Sequence, residues 1–221
     1  MSDNTNHLPN KAIPDNLKFI AIAGNIGAGK SSLTGLLAKH FGWKAFYESV
    51  DNNPYLADFY DDMRRWSFNL QIFFLSSRFR HQKQMLEGDG HFIQDRTIYE
   101  DVEIFAKNLH EMGLMSDRDF SNYEALFNEM TSFLQSPSLL IYIRAQVPTL
   151  VRQIQQRGRE YENTIRIEYL ERLNRLYEDW IQRYPHEKLI IDTDDLDFVN
   201  NKEDLGRIIE LVEQRLFGLF N

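Results

Sequence analysis

Eight consecutive residues, Gly24-Asn25-Ile26-Gly27-Ala28-Gly29-Lys30-Ser31, place two glycines, a lysine and a serine at the spacing GxxxxGK[ST]. Glycines let successive backbone N–H groups curl around an anion, and a helix beginning near Lys30 points its positive end at the same spot. Lys30 can reach the β- and γ-phosphates of a nucleoside triphosphate, and the Ser31 hydroxyl can ligate Mg²⁺. Ser32 extends the same contact surface by one residue. Further along, Glu48 and the pair Asp95-Arg96 each follow a short apolar run. A carboxylate at such a place can accept the proton of an attacking hydroxyl, or be a surface glutamate. Arg96 can stabilise charge on a transferring phosphoryl group, or form an ion pair with Asp95 or a neighbouring carboxylate. Gln71, Phe74 and Arg78 stand at i, i+3, i+7, one face of a helix. A planar amide there suits the donor–acceptor edge of a nucleobase, and aromatics such as Phe74 and Phe105 can sandwich it. The alternative is an amphipathic core helix with Gln71 and Arg78 at its margin. Arg157-Gly158-Arg159 is a basic segment that can close over phosphates, or a solvated helix end.

Positioning these groups requires a scaffold, and the apolar pattern supplies one. Short strands are predicted at Leu17–Ala23, Lys44–Glu48, His91–Gln94, Leu139–Ile143 and Lys188–Ile191. Helices are predicted at Ser31–Phe41, Trp66–Glu87, Tyr99–Leu109, Ser116–Gln135, Thr149–Arg157, Thr164–Tyr184 and Lys202–Phe217. Strands alternating with helices make a parallel sheet covered on both faces. A chain of 221 residues suits one such domain, from 17 to 221, behind a polar leader at 1–16. Open sheets of this kind bind ligands at the carboxyl ends of their strands, which is where Glu48 and Asp95-Arg96 fall. With a net charge of −8 the protein is a poor candidate for sequence-independent nucleic-acid binding, which needs a basic surface. It has no cysteine, so disulfides and thiolate metal sites are excluded. The longest apolar runs are too short to span a bilayer and no signal-peptide pattern opens the chain, so a cytoplasmic enzyme is expected.

Taken together and in this order, the motifs resemble those of the deoxyribonucleoside kinases, in the branch containing deoxycytidine, deoxyguanosine and deoxyadenosine kinases. The resemblance runs from about Phe19 to Phe198 and rests on the phosphate loop, Glu48, Leu56, Phe59-Tyr60, Trp66 to Gln71, Arg78, Asp95-Arg96-Thr97, Tyr99, Asp101, Phe105 and Arg157 to Glu162. It implies a three-layer α/β P-loop kinase with a five-stranded parallel sheet of order 2-3-1-4-5 flanked by helices, assembled as a homodimer. It implies ATP and a deoxynucleoside as substrates and Mg²⁺ as cofactor. Glu48 is then the general base, Lys30 and Arg96 complete the catalytic set, and Gly24 to Ser32 with Arg157 and Arg159 hold ATP. Leu56, Tyr60, Gln71, Phe74, Arg78, Asp101, Phe105 and Glu162 line the nucleoside site, Tyr60 and Glu162 meeting the 3′-hydroxyl. Asp95 joins Ser31 near the metal, although the family often has Glu there. A lid is expected near 152–163, and the equivalent of Phe74 is commonly small. The Arg78 and Asp101 pair resembles the branch that accepts purines and cytidine rather than thymidine, and the family's stand-alone members put deoxyadenosine first, with deoxyguanosine or deoxycytidine next. The nearest rivals are a thymidylate-kinase-like enzyme, whose acceptor phosphate Glu48 would repel, and a non-catalytic relative of the same fold.

Overall fold

Apolar residues run without alternation along the central strands, as a sheet with helices on both faces demands. The first strand, β1 (Phe19–Ala23), is buried throughout. It lies at the centre of a five-stranded parallel sheet with β2 (Lys44–Phe46), β3 (Phe92–Asp95), β4 (Leu139–Arg144) and β5 (Lys188–Asp192), in the order 2-3-1-4-5. Ile20 faces Ile93 on one side and Leu139 on the other, which fixes the register. The computed structural model describes residues 19–48, 53–159, 162 and 165–218. The expected leader at 1–16, Leu17 of the first strand, Thr164, and part of the expected lid therefore lie outside the described residues.

Strand alternation divides the core. Ile20, Ile22, Ile141 and Ile143 pack towards α1 (Lys30–Phe41), α7 (Val147–Arg157) and α9 (Lys202–Gly218). Ala21, Ala23, Leu140 and Tyr142 pack the other way, towards α3 (Met63–Glu87), α6 (Asp117–Thr131) and α8 (Ile167–Arg183). The helix after β1 thus covers one face, and the helical segment after the neighbouring β3 covers the other. That divergence opens a crevice at the carboxyl ends of β1 and β3.

Several boundaries depart from expectation. The second strand stops at Phe46, so Glu48 lies two residues beyond it rather than closing it. A short helix, α2 (Leu56–Asp61), was not expected; its only buried pair, Leu56 and Phe59, is too little periodicity to register. The expected helix Tyr99–Leu109 is three pieces: α4 (Ile98–Glu100), a π-helical turn (Asp101–Ala106) and α5 (Lys107–Glu111). Lys107 N donates to Val102 O, an i→i−5 bond. Helix α3 begins three residues early because Asp62 caps it, accepting from Arg65 N at 3.1 Å. Among the described residues no helix is long and apolar enough to cross a membrane.

Candidate active site

The crevice is a cavity of about 810 Å³, and most of the residues singled out in the sequence line it. Ile26, Gly27, Gly29, Lys30, Ser31 and Ser32 form one wall. Glu48, Leu56, Tyr60, Gln71, Phe74, Arg78, Arg96, Asp101 and Phe105 form another, and Arg157, Arg159 and Glu162 close the rim. Gly24, Asn25, Ala28 and Asp95 do not line it; Asn25, Ala28 and Asp95 are buried behind the loop.

Tight packing explains the glycines of the loop. At Gly29, where φ is +92°, a Cβ would approach Phe198 Cζ to 2.8 Å; at Gly27, where φ is +85°, one would approach Leu150 O to the same distance. Asn25 braces the turn from behind, donating to Leu170 O at 3.0 Å and accepting from Ile26 N at 2.7 Å. Not every N–H of the loop is open to a phosphate, as the motif alone suggested. Gly24 N is directed at Glu100 Oε1, 3.3 Å away. Lys30 is buried and donates to Asn25 O at 3.0 Å. Burial, then the nearby Arg96, pulls its pKa down to about 8.

Beside the lysine, Ser31 Oγ donates to Asp95 Oδ2. Burial pushes the Asp95 carboxyl up against the pull of Lys30, and its Oδ1 is buried without a hydrogen-bond partner. A hydroxyl and a carboxylate with an unsatisfied oxygen fit a hard divalent ion. Among the described residues no cluster of three or more His, Cys, Asp or Glu side chains can hold a metal. Such an ion would therefore take its remaining ligands from phosphate oxygens and water, as Mg²⁺ does.

A row of alternating charges runs along the cavity floor. Arg78, on the buried stripe of α3, donates through Nε to Asp101 Oδ1 and Oδ2 at 2.8 and 2.7 Å, and through Nη2 to Glu48 Oε1 at 2.7 Å. Arg96 Nε donates to the same Glu48 oxygen at 3.0 Å. Burial opposes the charge on Glu48, but Arg96, Arg78 and Lys30 outweigh it and hold the carboxyl well below the usual carboxylate range. Burial likewise lifts Asp101 to about 7 against the pull of Arg78. Arg96 is ion-paired, as one sequence reading expected, and it also faces the cavity. Its pairs are with Glu48 and Glu100, not Asp95. Its backbone sits at φ 66°, the one non-glycine residue with positive φ among those described.

Two expectations change at the rim. Arg157 and Glu162 were assigned to different ligands, yet Arg157 Nε donates to Glu162 Oε2 at 3.0 Å and Arg159 Nη1 lies 3.6 Å from Oε1. Glu162 therefore offsets one of the two positive charges of the basic segment and leaves a net positive charge at the rim. Gln71 is buried in the cavity wall with Oε1 unbonded, while Phe74 stacks under Arg78, whose Cζ is 5.1 Å from the ring centroid. Phe105 lies 4.5 Å from Arg96 Cζ.

Sequence reasoning missed Glu100 and Tyr177. Tyr177 OH lies 2.7 Å from Glu100 Oε1, 2.6 Å from Arg96 Nη1 and 2.8 Å from Gly24 O. Half of this was readable, since Thr97-Ile98-Tyr99-Glu100 is a capping box, which the structure forms. Gln153, Gln156 and the stretch from Leu196 to Asn200 also line the cavity without having been assigned roles.

The family model described as deoxynucleoside kinase matches residues 20–217. A deoxyadenosine/deoxycytidine kinase of Bacillus subtilis is 42% identical over 93% of this chain and 94% of its own. A deoxyguanosine kinase of Lactobacillus johnsonii is 39% identical over 90% of this chain and 93% of its own. Among solved structures, a deoxyadenosine kinase from M. mycoides with the products dCMP and dCDP bound superposes with a TM-score of 0.80 at 32% identity, covering 89% of this chain and 99% of that one. The M. mycoides enzyme with dATP bound gives a TM-score of 0.78 at 31% identity, over 88% and 98% of the two chains.

Proposed function

The chain belongs to the deoxynucleoside kinase family, and on that premise we propose that it carries the γ-phosphoryl group of ATP to the 5′-hydroxyl of deoxyadenosine first, then deoxyguanosine or deoxycytidine, and of thymidine poorly. The observation that carries this reading is the continuous row Asp101–Arg78–Glu48–Arg96, which leads from the α3 side of the cavity to the phosphate loop. Family membership sets aside the thymidylate-kinase rival. The convergence of Lys30, Ser31, Glu48 and Arg96 on one cavity argues against a non-catalytic relative.

In this reading the loop N–H groups and Lys30 hold the triphosphate. Ser31, with Asp95 through water, would hold Mg²⁺, which would supply positive charge to the triphosphate. Glu48 spends Oε1 on two guanidinium groups, so proton acceptance from the 5′-hydroxyl falls to Oε2. Arg96 stabilises the charge on the phosphoryl group in transit. The Gln71 Oε1 atom waits for a base N–H, and Arg78, fixed by Asp101, presents a donor to base ring nitrogens or carbonyls while filling space that a thymine methyl needs. Tyr60 and Glu162 take the 3′-hydroxyl once the rim arginines swing from Glu162 to the phosphates, which makes 152–163 the lid. Leu56, Phe74 and Phe105 bound the base. A cytoplasmic homodimer belongs to the same proposal; Met112, Leu126 and Phe133, large apolar side chains left exposed in and around α6, support the dimer.

One kinetic series tests it: kcat/KM for the four deoxynucleosides with ATP, in the wild type and in Glu48→Gln. Deoxyadenosine should lead, and Glu48→Gln should lose about two orders of magnitude or more in kcat while the protein stays folded. A preference for thymidine would refute the role of Arg78 and Asp101. Near-normal turnover by Glu48→Gln would refute the base.

A further inference from the structure

Glu100 and Tyr177 do not line the cavity, yet their hydrogen bonds reach its working edge. Both are fully buried, at 0% exposure. Glu100 Oε2 accepts from Thr97 N at 2.6 Å and Thr97 Oγ1 at 3.0 Å. Its Oε1 accepts from Gly24 N and Arg96 Nη1, each at 3.3 Å, and faces the Tyr177 hydroxyl. That hydroxyl accepts from Arg96 Nη1 and has Gly24 O as a second acceptor for its single proton. Two side chains, one from α4 and one from α8, thus tie the first residue of the phosphate loop, through both its N–H and its C=O, to the tip of the Arg96 guanidinium.

Arg96 needs such a tie. Its left-handed backbone is held by a bond from its N–H to Ile22 O at 2.9 Å, and strain of this kind persists only where the surroundings over-determine it. The phenol is itself a fixed point, because its ring stacks on Tyr142 at 5.6 Å and meets the edge of Trp180 at 6.3 Å. We infer that Glu100 and Tyr177 are positioning residues that lock Arg96 to the phosphate loop, so that the arginine meets the transferring group in register with the loop that grips the rest of the triphosphate. The inference rests on the role proposed for Arg96 above.

Tyr177→Phe keeps the ring and removes one oxygen. The loop and Lys30 bind the ground state, whereas Arg96 acts on the transition state. The variant should therefore lose about tenfold or more in kcat, with KM for ATP and for deoxyadenosine each within about threefold of wild type. Because Tyr177 acts through Arg96, the same change on an Arg96→Gln background should cost less than about a further twofold. Losses that multiply in the double variant would overturn the inference. So would a lowered melting temperature with wild-type kcat at a temperature where the variant is folded, the signature of a purely structural tyrosine. Should Tyr177→Phe fail to fold, Glu100→Gln takes its place in the same cycle with the same expected and overturning results. Full turnover by Arg96→Gln alone would overturn the reading of Arg96 and this inference with it, an outcome visible in the single variant.

Discussion

Lys30 and Glu48 carry opposite shifts for opposite reasons. Glu48 is surrounded by Arg96, Arg78 and Lys30, so it stays ionised and ready across the whole neutral range, though as a weak base. Lys30 is desolvated and stands beside Arg96, so its pKa falls from 10.5 to about 8. The basic limb of activity should therefore belong to the lysine. As pH rises through about 8 the free enzyme loses the positive charge on Lys30, and on the role proposed for that lysine kcat/KM for ATP should fall. Stability should move the other way. Between about 8 and 10.5 the unfolded chain binds more protons at this lysine than the folded one, so unfolding free energy from Lys30 rises with pH across that window. Activity profiles and denaturant titrations at matched pH check the pair of trends. A parallel decline of both would assign the basic limb to another group.

At the scale of elements, the π-helical turn sets the floor of the cavity. A π turn carries one residue more than an α-helix needs. Deleting Glu103 should convert Asp101–Ala106 to regular helix, keep the buried Asn108 and Leu109 of α5 in their seats, and re-aim Phe105. The variant should fold, KM for the deoxynucleoside should rise about tenfold or more, and KM for ATP should hold, since small misplacements cost this much. A deletion that raised both equally would show that the turn supports the whole site. The turn was invisible in the sequence because it keeps a helix-like apolar pattern from Ile98 to Leu109. Strands, the phosphate loop and the α3 stripe were legible because each rests on local spacing. Glu48 and Arg96 were legible as chemistry but not as a bonded pair, since 48 residues separate them. The Tyr177 link to Glu100 spans 77 residues, and the pairing of Glu162 with Arg157, five residues apart, was passed over because each was read as facing a ligand.

Viewed as a whole, the protein is acidic, yet Lys30, Arg78, Arg96, Arg152, Arg157 and Arg159 all reach one cavity. The same cavity holds four carboxylates, Glu48, Asp101, Glu162 and Asp197, so positive charge is in excess there while the protein as a whole is negative. The sheet separates most of the packing beneath the two ends of the cavity, although Ile26 packs against both cores and Tyr177, on the α3 side, holds Gly24. Leu56, Phe59, Tyr60, Phe74 and Phe105 pack with the core on the α3 side, while Leu150, Ile154, Leu196 and Phe198 pack with the core on the α1 side. Phe74→Leu should alter deoxynucleoside KM, Leu196→Ala should alter ATP KM, and the double variant should show their sum within about 0.5 kcal/mol. A larger coupling, measured by steady-state kinetics on all four proteins, would show that the two cores communicate.

This division has an evolutionary reading. A gene copy released from selection on its nucleobase can accumulate changes in α2, α3 and the π turn without touching the foundations of the triphosphate site. Acceptor choice is then free to drift while the donor half is inherited intact. Sister enzymes with different favourite nucleosides should therefore differ most in the packing beneath Phe74 and Phe105, and least around Gly27, Ile154 and Phe198.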